Sequence, residues 1–98
     1  MATYILVTKL SPEVTSKLEQ REEIGKRWHE IVKSKCPEVK WLSHYALLGP
    51  YDFLDIYEAP DETVAAKVSL LTLAHGAMVA ESWTAIPYRR FLELVKEL

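Results

Sequence analysis

The chain has 98 residues, of which 12 are basic and 14 acidic, giving a formal net charge of −2; 49% are hydrophobic and 27% charged. This is the balance of one ordinary folded domain spanning 1–98, and it excludes disorder, collagen-like repeats and low-complexity tails. The near-neutral charge supplies no general electrostatic pull toward nucleic acid or an anionic membrane surface.

Residues 3–10, Thr-Tyr-Ile-Leu-Val-Thr-Lys-Leu, are β-branched and aromatic and read as a strand. Tyr4, Leu6 and Leu10 fall on one face and Ile5 and Val7 on the other, so both faces need cover. This apolar run breaks at Thr8-Lys9 and has no basic stretch before it. It is too short for a signal peptide or a membrane span, and a cytoplasmic location is expected.

Ser11-Pro12 opens a helix, with Ser11 as the expected cap and Pro12 in the first turn. Thr15 and Ser16 are weak helix formers and predict distorted first turns. From Leu18 onward Ile24, Trp28, Ile31, Val32 and Lys35 lie on one stripe, and Pro37 ends the helix. Residues 38–48 read as a second strand. Gly49-Pro50-Tyr51-Asp52 is a turn, and Phe53 to Ala59 is the third strand of a hairpin. Asp61 caps the next helix, whose Val64, Val68 and Leu71 face the core and which Gly76 closes. A fourth strand runs from about Ala77 to Ile86. Tyr88 to Leu98 forms a short terminal helix with Phe91, Leu92 and Val95 as its apolar side.

The order βαββαβ plus a tail helix predicts an α+β domain of the ferredoxin-like plait, a four-stranded antiparallel sheet with helices on one face. The other face then needs cover, and a second copy of the chain is the simplest one. A homodimer or higher homo-oligomer, packed sheet to sheet, is the expected assembly.

If Leu48 stands opposite Phe53, His44 stands opposite Tyr57. The alternation then places Leu42, His44, Leu48, Phe53, Asp55 and Tyr57 on one face, with Leu47, Leu54 and Ile56 under the helices. The first set has the composition of a pocket wall or a polar-seamed interface. His44, Asp55 and Tyr57 are therefore the candidate cavity residues. A histidine moves protons near neutral pH, a carboxylate orients it, and a tyrosine donates to a developing oxyanion. Tyr51 at the turn and Glu81 on the fourth strand are candidates beside them. The competing reading has the same residues joining subunits by hydrogen bonds and doing nothing else.

Other signals are weak. No two histidines are spaced as helix ligands, and the one cysteine, Cys36, has no partner, so no metal site is expected. Cys36 sits at a helix end, which opposes a thiolate and suits a buried spectator. His29 is expected to face solvent, and His75 to complement a helix end. The three glycines form no phosphate-cradling loop. An RNA-recognition reading of Tyr51 to Leu54 fails, because Pro50 and Asp52 occupy the wrong places and Asp55 adds negative charge to the platform.

Tyr45-Ala46-Leu47-Leu48-Gly49-Pro50-Tyr51-Asp52-Phe53 with Glu58-Ala59-Pro60-Asp61 resembles the signature of the GYD domain family. So do Ala2 to Leu6, Leu10-Ser11-Pro12-Glu13, Glu81-Ser82 and Ala85-Ile86-Pro87, and the similarity spans essentially the whole chain. The resemblance implies pairing into a dimeric α/β barrel, a group whose members include cofactor-independent monooxygenases, haem-degrading enzymes, lactone isomerases and ligand-sensing domains. It carries over no single activity and no cofactor. Two readings stand. One is a protein that binds a small, mostly apolar molecule in a cavity on the helix-free face at a homodimer interface, with proton-transfer or oxygenase-like chemistry open to it. The other is a non-catalytic accessory homo-oligomer.

Overall fold

The computed structural model of the chain describes residues 1–98. Strand β1 (Ala2–Leu10) leads through a short helix α1 (Pro12–Thr15) and a 3₁₀ turn (Leu18–Gln20) into the long helix α2 (Arg21–Lys35). Strands β2 (Lys40–Ala46) and β3 (Phe53–Ala59) follow, then helix α3 (Glu62–Ala74), strand β4 (Ala77–Ala85) and helix α4 (Tyr88–Lys96). The strands form one antiparallel sheet in the order β2-β3-β1-β4. This is the α+β ferredoxin-like plait.

The first helical region is in three pieces, and its hydroxyls are the reason. Thr15 Oγ1 donates to the carbonyls of Ser11 and Pro12, and Ser16 Oγ to that of Glu13. Such back-bonding competes with helix propagation. Lys17 then leaves helical geometry, with φ −106° and ψ 60°. Ser11 makes no capping bond through its side chain, contrary to expectation. Asp61 does cap α3, its carboxylate accepting the Val64 amide at 3.1 Å. Gly76 ends the helix region with φ +113°, a conformation that L side chains rarely adopt. Gly49, in the β2–β3 turn, has no positive φ and has open space around it, so the turn does not depend on a glycine conformation there.

The core lies between the sheet and helices α2 and α3. Tyr4 and Leu6 of β1 and Tyr57 and Ala59 of β3 pack on Val32 and Cys36 from α2 and its end, and on Ala65 and Val68 from α3. Val64 and Leu71 flank this cluster as expected. Lys35 is exposed, and Cys36 takes the buried place at that end of the stripe. Complete burial of Leu6, Val32 and Val68 stabilises the fold by roughly 1.5–3 kcal/mol each.

The two sheet faces are the reverse of the sequence expectation. Because Tyr57 faces the helices, so do Asp55 and Phe53 on the same strand. Ile5 and Val7 of β1 and their cross-strand partners Ile56 and Leu54 occupy the helix-free side, together with Trp83 and Glu81 opposite them on β4. The hairpin register also differs. Ala46 pairs with Phe53 and His44 with Asp55, two residues from the anticipated match. A bulge at Leu42 lies between the Trp41–Tyr57 and Ser43–Ile56 pairs. That extra residue puts Trp41 and His44, three apart, on the same helix-covered face. Helix α4 buries none of its residues: Tyr88, Phe91, Leu92 and Val95 are all exposed. No helix is long and apolar enough to cross a membrane.

Candidate functional site

The β2–β3 ladder delivers His44 directly opposite Asp55, and their side chains meet. Nδ1 of His44 and Oδ1 of Asp55 are 2.5 Å apart, a hydrogen bond in which an ionised Asp55 accepts from the imidazole N–H. Asp55 is buried, while the His44 side chain is 60% exposed. Burial holds the Asp55 carboxyl above the usual carboxylate range, and the charge and hydrogen bond of His44 partly offset that rise. With its proton on Nδ1, a neutral His44 ring keeps Nε2 as an acceptor.

Aromatic rings fix the pair in place. His44 stacks on Phe53 with ring centres 5.4 Å apart, and the Arg21 guanidinium lies 5.0 Å from the centre of the same ring. Further in, Trp41 packs on Trp28 at 5.3 Å and on Tyr57 at 5.1 Å. Trp28 is anchored from above, since its indole N–H donates to Thr72 Oγ1 at 2.9 Å and Thr72 in turn bonds to the Val68 carbonyl. The result is a cavity of about 930 Å³ between α2 and the hairpin. Its wall includes Arg21, Trp28, Trp41, His44, Phe53 and Asp55.

The five expected cavity residues therefore divide. His44 and Asp55 line this cavity, on the helix-covered face and not on the helix-free one. Tyr57 lies beneath it, fully buried, its hydroxyl 2.7 Å from Ser82 Oγ. Burial pushes the Tyr57 hydroxyl up to about 12, with the Ser82 hydrogen bond acting against the rise. Tyr51 and Glu81 belong to the opposite face. The Tyr51 ring meets Trp83 edge-on at 6.2 Å, and Trp83 Nε1 donates to Glu81 at 2.9 Å. No group of three or more His, Cys, Asp or Glu side chains is gathered to hold a metal ion.

The turn between β2 and β3 is tied to the central strand. The Leu10 amide donates to Asp52 Oδ2 at 2.7 Å, and the Asp52 amide donates to the Thr8 carbonyl at 2.8 Å. Asp52 thus acts as a clip between the hairpin and β1. Cys36 is buried, and its thiol is pushed up first by burial and then by Glu38 nearby. Sequence reasoning missed Arg21, because a lone arginine at a helix start gives no signal. The bulge brings His44 onto the helix-covered face beside Trp41.

The GYD domain model matches residues 4–95. A protein of Thermus thermophilus named "Glutamine synthetase and cystathionine beta-lyase binding protein" is 27% identical over 96 residues, which cover 98% of this chain and all of that protein. No solved structure matches the chain.

Proposed function

The chain belongs to the GYD domain family, and from that premise we propose that it is a small binding protein whose ligand is a mostly apolar molecule held between α2 and the β2–β3 hairpin. One observation carries this reading. A histidine–carboxylate pair stands at the edge of an aromatic-walled cavity of about 930 Å³, a volume suited to a small organic ligand. The Nε2 atom of His44 accepts a hydrogen bond from a ligand hydroxyl, and Asp55 holds the ring for that task. Proton transfer is the chemistry such a pair supports, since a buried carboxylate stabilises the imidazolium that forms.

The assembly in this reading is a homodimer in the cytoplasm. Ile5, Leu54, Ile56 and Trp83 form an apolar row on the helix-free face, and the second copy covers it. The ligand cavity then lies on the far side of the sheet from the dimer contact. The lone reduced cysteine suits a reducing compartment.

Titration with 2-naphthol, an apolar probe with one hydroxyl, tests the cavity by tryptophan fluorescence and thermal shift. Saturable binding that weakens about tenfold in His44→Ala, the loss of one hydrogen bond, is the expected result. Absence of binding to the wild type overturns it. The second reading, a non-catalytic accessory protein, rests on the printed name of the Thermus relative. It predicts direct association with a purified glutamine synthetase, unchanged by His44→Ala.

A further inference from the structure

We propose that the cavity selects an aromatic carboxylate, with Arg21 as the residue that holds the carboxylate group. This rests on the cavity reading above and names the chemical class of its ligand. Two charged groups of the wall, Arg21 and Glu30, have no ion-pair partner, and they stand apart along α2. Lys26 pairs with Glu22, and His44 with Asp55. Asp52 is engaged by the Leu10 amide. Arg21 lines the cavity, is half-buried, and has neither an ion-pair partner nor a side-chain hydrogen bond. Glu30, the remaining acidic residue of the wall, lies nine residues along α2, roughly 13 Å away at the rise of an α-helix.

Arg21 is also held, which distinguishes it from a free surface arginine. Its guanidinium rests on the Phe53 ring, and His44 stacks on that ring as well. One aromatic side chain therefore positions a five-donor cationic fork and a hydrogen-bond acceptor within reach of the two ends of one small molecule. A guanidinium fork matches a carboxylate with two parallel N–H···O bonds. Trp28 and Trp41 add flat apolar wall to the same cavity, which suits a planar ring system. A hydroxyl at the far end of the ligand meets His44 Nε2.

The test compares 6-hydroxy-2-naphthoate with 2-naphthol, which share the ring system and hydroxyl but differ in the carboxylate, by isothermal titration near neutral pH. The naphthoate is expected to bind the wild-type protein about tenfold more tightly or better. Arg21→Gln is expected to collapse the two affinities to one value, and Arg21→Lys to restore part of the difference. Circular dichroism checks that both variants are folded. Equal affinities in the wild type, or a preference that survives Arg21→Gln, overturns the role of Arg21 while leaving the cavity reading intact. Failure of both probes to bind overturns the cavity reading and this inference with it.

Discussion

His44 and Asp55 face each other across the β2–β3 ladder with their side chains in unequal surroundings, the imidazole 60% exposed and the carboxylate 4%. The pair spans the boundary between solvent and interior. A charge on Asp55 is costly for the fold, because burial disfavours it. Because burial raises the Asp55 carboxyl above its ordinary 3.8, the folded chain holds that proton more tightly than the unfolded one. The linked stability is complete below 3.8 and disappears as pH rises through the folded value.

Asp55→Asn keeps the shape and removes the charge. Urea unfolding as a function of pH should find the variant gaining on the wild type as pH rises from 3.8 through the folded value, and the two converging as acid is added. A constant difference across that range would contradict the burial cost assigned to Asp55.

Tyr57 gives the alkaline counterpart. Its hydroxyl is raised from 10.0 to about 12 by burial, so the stability linked to it is complete below 10.0 and is lost as pH climbs to about 12. Tyr57→Phe removes the bond to Ser82 and should cost about 1 kcal/mol at neutral pH. That gap should shrink at alkaline pH, because the variant has no phenol to ionise.

Two leucines separate core from surface. Leu6 is fully buried, whereas Leu48, in the turn, is fully exposed. Leu6→Ala should cost about 3 kcal/mol by leaving a cavity under the helices. Leu48→Ala should stay within about 0.5 kcal/mol of the wild type. Chemical denaturation of both variants measures the contrast.

Trp83 tests the helix-free face. It is partly exposed, bonded to Glu81 and met by Tyr51. Trp83→Lys places an ammonium beside Glu81, which the single chain tolerates and an apolar contact between sheets does not. Sedimentation velocity at micromolar concentration should find a dimer for the wild type and a monomer for the variant. A monomeric wild type, or a dimeric variant, would remove the sheet-to-sheet contact.

The order of elements was legible because each has its own punctuation. Pro12, Pro37, Asp61, Gly76 and Pro87 stand at boundaries where backbone chemistry permits few alternatives. The faces were not legible, for two physical reasons. Counting apolar residues favours Leu54 and Ile56 for the interior over Asp55, yet Asp55 is buried because His44 supplies its partner. The bulge at Leu42 also breaks the two-residue period, so Trp41 and His44 share a side that strict alternation denies them. His44 and Asp55 were found as residues but assigned to the wrong face. Arg21 became visible only through its contact with Phe53.

The clip made by Asp52 bears on what family membership can tell. Gly49-Pro50-Tyr51-Asp52 joins the hairpin turn to β1, and its most tightly engaged member spends its carboxylate on the Leu10 amide. The turn at the centre of the signature is in this respect a joint of the scaffold, while Phe53 at the signature's end and Arg21, Trp28, Trp41 and His44 outside it face the cavity. Family membership therefore conveys an architecture, and the chemistry has to be argued from this chain's own wall residues.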